Sequence, residues 1–350
     1  MKKTLLALAV LASVAGTANA AEILKTDSAS VDFYGQLREE LKQIDYDDGA
    51  KSTDTSTTLK SGSSRAGVTA AYALTDDLKA LASVEFGIGQ SNSGDNRKHW
   101  IGISSDKYGT LTLGKQSIIT DDVWGVENDW IGYGYSVLPE ASGYDMNWTQ
   151  NAELRYDVEG DAGWLKVAYG YDNGNEDPTT AELYLGTTVG SFDIYGGVGY
   201  QEDKTSSTST ANKTFTGTDN ATYTVATTTT SVSDTELKHG MLTVNYNGDG
   251  WNLGTTYWHA EVKDNDANTK LTSDSYVVAG AYSITKKTSL YGGYEYINDF
   301  QSEGNTYNNV YGGVLYQYAS WTKLYAETGY TDSDVTNSDS YYGVGVRVYW

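Results

Sequence analysis

The sequence predicts an all-β protein, a 16-stranded antiparallel transmembrane β-barrel with an inward-folded third loop. Three observations lead there. Runs of alternating apolar and polar residues recur along most of the chain, with the period of two that a two-faced strand requires. The connections between those runs alternate short and long, which sorts the tight turns to one end of a closed sheet and the long loops to the other. The composition joins 30 Tyr, 9 Trp and 38 Gly to a mean hydropathy of −0.48. A sheet with lipid on one face and water on the other uses that mixture, because Tyr and Trp gather at the two membrane interfaces. Composition alone equally fits a secreted soluble β-protein.

Residues 1–20 read as a secretory signal peptide. Lys2 and Lys3 form a basic start, Leu5 to Val14 an apolar run, and Ala18-Asn19-Ala20 a small-residue cleavage site. The predicted mature barrel is 21–350, and loss of the two lysines takes the formal charge from −22 to −24.

The strands follow in order. Val31, Phe33, Gly35 and Leu37 share one face of the first; Gln36, Arg38 and Glu40 share the other. Residues 45–62 read as a polar loop. Ser63 to Ala73 returns, and Thr75-Asp76-Asp77 turns tightly into a strand with Leu78, Ala80, Ala82, Val84, Phe86 and Ile88 on one face. Strands at 96–105 and 109–117 flank the turn at 106–108. Beyond the long loop the pattern resumes at about 149–159, 162–171, 179–189 and 191–202. Residues 203–235 are mostly Ser, Thr, Asn and Asp and read as a long external loop. Further strands fall near 236–247, 250–262, 273–283, 288–299, 306–318, 322–331 and 340–350. The last of them carries Tyr342, Val344, Val346, Val348 and Trp350 on one face, an apolar stripe that ends on a terminal aromatic.

The stretch 118–147 is the candidate functional element. At about 30 residues it exceeds an ordinary connection. Six acids (Asp121, Asp122, Glu127, Asp129, Glu140, Asp145) and two tryptophans (Trp124, Trp130) make it too aromatic for a disordered linker. It reads as a constriction loop inside something hollow. Ordinary solvated surface is the bland reading of Glu140 and Asp145. The tryptophans either stack on sugar faces or pin the loop to the wall.

Several functions are disfavoured. The acid excess argues against nucleic-acid binding. Three scattered histidines (His99, His239, His259), no cysteine, no phosphate loop and no triad leave no metal site, no cofactor and no expectation of catalysis. A pore needs only a polar lumen, a constriction and charges that replace solute hydration without trapping the solute.

Taken together, FYGQLR at 33–38, SRAGV at 64–68, LTDDLKALASVEF at 74–86, YGTLTLGKQ at 108–116, LPEASGYD at 138–145 and the final strand resemble the general porins of Gram-negative outer membranes. The similarity spans the mature chain and extends to marine porins and chitoporins. It implies a homotrimer in the cell outer membrane, in contact with lipid and lipopolysaccharide, through which small hydrophilic solutes diffuse passively. It also implies loop acids, Glu140 and Asp145 among them, facing a pore wall of Gln36, Arg38, Arg65, Glu85, Arg97 and His99. The arginine such proteins carry early in the strand after the loop has no clear counterpart in NWTQNAELRY, which predicts a thin basic cluster. A mildly cation-selective channel is expected. The alternatives are a sugar-specific porin using Trp124 and Trp130, and a non-conducting structural or adhesive barrel.

Overall fold

One strand closes the molecule. In the computed structural model, β2 (Ala29–Asp47) pairs on one edge with the C-terminal strand and on the other with the two strands that follow it in sequence. The structure describes residues 21–47, 53–89, 93–126, 130–131, 144, 146–171, 178–204, 206–216, 222–232, 234–335 and 338–350. The signal-peptide expectation for 1–20 lies outside them.

In chain order the strands are β1 (Ala21–Lys25), β2, β3 (Thr53–Lys60), β4 (Arg65–Ala73), β5 (Leu78–Gly87), β6 (Asn96–Ser105), β7 (Gly109–Ser117), β8 (Thr149–Gly160), β9 (Gly163–Gly170), β10 (Thr179–Val189), β11 (Phe192–Asp203), β12 (Ser206–Thr216), β13 (Thr222–Val232), β14 (Thr235–Asn247), β15 (Trp251–Asp264), β16 (Thr269–Ser283), β17 (Thr288–Asn298), β18 (Thr306–Ala319), β19 (Thr322–Ser333) and β20 (Ser338–Tyr349). A single helical turn, α1 (Ile119–Asp122), follows β7.

Neighbours pair antiparallel from β4 to β11, then from β14 to β20, with β11 joined to β14 and β20 to β2. β3 and β4 pair with successive halves of β2 and act as one broken wall strand, so 16 strands close the barrel. β1 takes the stretch of β2 edge that β20 leaves free. Its partners are residues 30–33, while β20 pairs with 36–47. The two chain ends thus complete one ladder, and Gly35 exchanges backbone hydrogen bonds with Trp350 at 2.9 and 3.2 Å.

The wall has two chemically distinct faces. Leu37, Leu41, Ile101, Ile103, Leu183, Leu185 and Leu253 are exposed, whereas Glu40, Lys42, Glu153, Arg155, Glu182 and Glu327, on the alternate positions, are buried. This inversion of the usual globular pattern defines a barrel with lipid outside and a polar interior. Exposed aromatics form two belts. Tyr108, Trp251, Tyr282, Tyr318 and Trp321 stand near the short turns, and Tyr169, Tyr257, Tyr276, Tyr294, Tyr330 and Tyr342 near the long loops. Amphipathic rings of this kind sit at headgroup level. Among the described residues no helix is long and apolar enough to span a membrane.

Three sequence expectations change in detail. The region 45–62 is largely strand, since β2 runs to Asp47 and β3 starts at Thr53. Its Ser, Thr and Asp residues satisfy their backbone across the β2–β3 ladder. Residues 206–216 and 222–232 form β12 and β13, which pair with each other and, among the described residues, with no other strand. The short β1 is absent from the sequence reading, because AEILK alternates over too few residues to register.

Glycines let inner-face rings lie flat on the neighbouring strand. Gly313 stands opposite Tyr291 and Gly293 opposite Tyr311, so each ring of β17 and β18 covers the other strand's glycine. A Cβ on Gly313 would collide with the Tyr291 ring, while one on Gly312 would meet only Tyr291 O at an ordinary 3.5 Å. We expect Gly313→Ala to destabilise the barrel by roughly 1–3 kcal/mol and Gly312→Ala by less than about 0.5 kcal/mol. Guanidinium unfolding midpoints in detergent check this. Equal midpoints for the two variants would contradict the packing described.

Candidate functional site

The described residues of the 118–147 stretch are anchored to the inner face at widely separated strands. Ile118 and Ile119 are fully buried. The amides of Ile119 and Thr120 donate to the Glu182 carboxylate of β10 at 2.5 and 3.1 Å, and the Thr120 hydroxyl bonds the same carboxylate and lies 2.8 Å from Tyr184 Oη. Glu182 therefore does the capping work at this helix start, where no side-chain N-cap exists. An anion at the free amides of a first helical turn is the favourable arrangement.

The segment then reaches other strands. The Val126 amide donates to Thr256 Oγ1 on β15 at 2.7 Å. The amides of Trp130 and Ile131 donate to Glu327 on β19 at 2.8 and 3.3 Å. Arg38 on β2 donates from Nη2 to Trp130 O at 2.5 Å. Ile131 packs beside Gly343 on β20. At the far end, Gln201 on β11 clasps Asn147, accepting from its amide at 3.2 Å and donating to its carbonyl at 3.0 Å.

The charges fall into three groups. In the first, Asp122 of α1 meets Arg155 Nη1 of β8 at 2.5 Å, and Asp157 accepts from both Arg155 and Lys166 at 3.0 and 3.1 Å. Burial works against the charge on Asp122, yet Arg155 first, then Lys98 and Lys166, hold its carboxyl below the usual range. Asp121 behaves oppositely. Its burial and the adjacent Asp122 push its carboxyl up, against the pull of Lys98 and Arg97. In the second group Glu85 of β5 holds both Arg97 at 2.9 Å and Arg65 at 3.6 Å. In the third, Arg38 meets Glu40 at 2.5 Å, and Glu40 also accepts from Tyr325 Oη at 2.6 Å. Lys323 Nζ at 5.0 Å and the Arg347 guanidinium at 4.8 Å both approach the Trp130 ring, with Tyr325 tilted against it at 5.2 Å. Cation–π contacts of this sort fix the ring. Trp124 is 41% exposed and stacks on Trp148 at 6.0 Å.

The sequence-predicted residues sort as follows. Arg38 joins Trp130, and Arg65, Glu85 and Arg97 form one cluster. Asp121 and Asp122 sit on α1. Gln36 is buried and donates to Ser63 O at 2.8 Å, bracing the break between β3 and β4. Glu127, Asp129, Glu140 and Asp145 lie outside the described residues. His99 needs correction. It stands opposite Val84 and shares its face with exposed Ile101 and Ile103, on the apolar side of the wall. A bulge between Glu85 and Phe86 is the reason. Asn96 pairs with Phe86 and Lys98 with Glu85, so the extra residue Arg97 turns to Glu85 and the parity of β6 flips.

Sequence reasoning missed Lys42, Arg155, Lys166, Lys323 and Arg347, all on the inner-face parity of their strands. The basic side of the interior is therefore not thin. Arg155, in the NWTQNAELRY stretch, supplies an arginine soon after the loop. Strict alternation from Leu154 would have found it, since Leu154 is exposed.

The comparisons agree with this architecture. Residues 7–337 match the family model for the Gram-negative porins, and the chain belongs to that family. It is 26% identical over 363 residues to Porin-like protein H of Photobacterium profundum, covering 99% of each chain. Among solved structures it resembles OmpT, an outer membrane protein of Vibrio cholerae, at 32% identity and a TM-score of 0.76, covering 94% of this chain and 100% of that one. A trimer form of in-vitro folded OmpT gives 31% and 0.75, covering 93% and 100%. The protein is an outer-membrane β-barrel of a Gram-negative bacterium, and its fold is that of non-catalytic channels.

Two outcomes follow from the anchors. Glu182→Ala leaves the Ile119 and Thr120 amides without acceptors, a loss of about 1–3 kcal/mol. Hydrogen exchange at those two amides is expected to accelerate by about five-fold or more, while amides of β15 and β16 stay protected. The Asp122–Arg155 pair has a pH signature of fixed sign. A depressed carboxyl contributes above its unfolded value, about 3.9, and that contribution is lost as pH falls through the lower folded value. The Asp122 carboxyl should therefore stay ionised from neutral pH down to about pH 4 and protonate only below it, as read from its carboxyl carbon-13 shift. Protonation of Asp122 near pH 6 would contradict the pairing.

Proposed function

We propose that the chain forms a water-filled channel for passive diffusion of ions and small hydrophilic solutes, with the 118–147 stretch folded into the lumen as its constriction. One observation carries this reading. Ile119, Thr120, Val126, Trp130 and Ile131 hydrogen-bond to inner-face groups of β2, β10, β15 and β19, and anchors so far apart around the ring support a segment that crosses the space they enclose. The anchors favour a fixed constriction over a movable lid.

The interior is charged on both sides of such a segment. Arg38, Lys42, Lys323 and Arg347 lie on β2, β19 and β20, and Lys98, Arg155 and Lys166 on β6, β8 and β9. Acids of the segment and wall face them, which sets up a transverse field in which dipolar solutes align. The preference for cations that we propose rests on the four further loop acids, Glu127, Asp129, Glu140 and Asp145. Two cations approach the Trp130 ring, whose residue anchors the segment, which favours diffusion of small solutes over a sugar track. The trimer form of OmpT supports a homotrimeric assembly for this chain.

Planar-bilayer recordings test the proposal. The wild-type channel should conduct and show a reversal potential shifted toward cations in a salt gradient. Joint Glu140→Gln and Asp145→Asn substitution should reduce that shift, and joint Lys323→Gln and Arg347→Gln should enlarge it. An unmoved reversal potential in both variants would take these groups out of the conduction path, and an absence of conductance would leave the non-conducting barrel.

A further inference from the structure

Inside the barrel, one cross-strand row of the described wall carries three cations and no acid. Lys323 of β19 stands directly opposite Arg347 of β20, and Arg347 stands directly opposite Arg38 of β2. Residues so placed share a face, with Cβ atoms about 4.5–5.5 Å apart, and like charges in that relation repel. The row ends on uncharged groups. Gln317 of β18 lies opposite Lys323, and the Arg38 amide donates to Ser64 Oγ at 2.9 Å. Lys323 is the second residue of β19, and Arg347 lies two residues before the end of β20. The row therefore sits at the short-turn end of the lumen, beside the anchored Trp130.

The nearby acids are committed elsewhere. Glu40 accepts from Arg38 Nε at 2.5 Å and from Tyr325 Oη at 2.6 Å. Glu327 accepts from the amides of Trp130 and Ile131 and from Tyr291 Oη at 3.0 Å. Lys323 and Arg347 meet rings instead. Lys323 Nζ stands 5.0 Å from the centre of the Trp130 ring and 5.5 Å from that of Tyr349, and the Arg347 guanidinium stands 4.8 Å from Trp130. A ring steadies a cation without cancelling its charge. Among the described residues neither cation forms an ion pair, and Arg347 Nε is buried without an acceptor. Both residues are half-buried. Glu40 neutralises Arg38, so Lys323 and Arg347 remain as uncompensated positive charges. Charges in such a wall must be paired or solvated, and an anion entering the lumen can supply the missing pairing.

We propose that Lys323 and Arg347 form a binding site for the phosphate dianion, free or as the headgroup of a small monoester, on the short-turn side of the constriction. The inference rests on the channel reading of the lumen and names a solute class for it. A phosphate group carries about −1.5 to −2 charges at neutral pH, which matches the two uncompensated cations. A guanidinium offers paired donors to two phosphate oxygens, and an ammonium adds a point charge beside it. A carboxylate, with one charge, leaves one of the two cations unmatched. Arg38, held by Glu40 and by Trp130 O, contributes field rather than contact. The site lies on the wall of an open passage, so it holds its solute briefly and releases it, as conduction requires. A local anion site is compatible with a net preference for cations, because that preference is set by all the charges of the lumen.

The test uses the full mature chain and two readouts. Glucose 6-phosphate is added to single channels in a planar bilayer, and its binding to the protein in detergent micelles is followed by phosphorus NMR line broadening. The wild type should show interruptions of current whose frequency rises with glucose 6-phosphate, together with broadening of the phosphorus line. Glucose should cause neither, gluconate should block more weakly, and inorganic phosphate should compete. Joint Lys323→Gln and Arg347→Gln should weaken both signals by about ten-fold or more, and Arg347→Lys alone by less. A control removes cations at the same end of the barrel but off the row, Lys79→Gln and Lys286→Gln, and should leave both signals unchanged. Heat-modifiable migration on gels verifies that each variant has closed its barrel. Conduction without block or binding, undiminished signals in the joint variant, equal loss in the control, or no competition by inorganic phosphate would each overturn the proposal. Phosphorus broadening that needs Lys323 and Arg347 in a barrel that does not conduct would refute the channel reading and uphold the site.

Discussion

A sheet surrounded by hydrocarbon cannot leave an edge unpaired, because each orphaned amide or carbonyl there costs several kcal/mol. Everything in this molecule follows from how that constraint is met at β2. One edge of β2 accepts β3 and β4, and the other is shared between β20 and β1, so that both ends of the barrel chain are consumed in a single seam. With the ring shut, side-chain alternation has only two destinations. Leu, Ile, Val and the belt aromatics go out, and Glu, Lys, Arg and Gln go in.

The interior inherits a problem from that sorting. Charges brought inside must be paired or solvated. Wall residues pair with one another, as Glu85 does with Arg65 and Arg97. They also pair with the segment after β7, as Arg155 does with Asp122 and Glu327 does with the amides of Trp130 and Ile131. Among the described residues, the amides of Ile119, Thr120, Trp130 and Ile131 are satisfied by wall acids, and wall cations meet Asp122 and the carbonyl and indole ring of Trp130. A loop bound by this reciprocity resists displacement, which is what a diffusion channel of fixed bore requires on our proposal.

Much of the fold was legible from the chain alone. Period-two alternation over β5, β15 and β20 and the short turns at 106–108 and 284–287 gave the strand order and the barrel, because lipid outside and water inside enforce alternation more strictly than a soluble core does. What escaped was whatever breaks parity or depends on distant partners. The bulge opposite Glu85 moved His99 to the apolar face and brought Arg97 to the acid, and nothing in NRKHW announces an inserted residue. The five-residue β1 was too short to show a period. Arg155, Lys323 and Arg347 followed the alternation, yet their importance comes from Asp122 and Trp130, far away in sequence. Glu182 looked like any wall acid until two loop amides were found on it.

The central claim, that the stretch after β7 narrows the lumen, has a direct measurement. The chain has no cysteine, so Trp124→Cys supplies a single thiol at a partly exposed point of the stretch. A single channel of that variant is recorded in a planar bilayer while a bulky, water-soluble methanethiosulfonate reagent is added, and labelling is verified by mass. A stepwise fall in conductance with each thiol modified is the predicted result. Complete labelling with unchanged conductance would place the stretch away from the conduction path and contradict the claim.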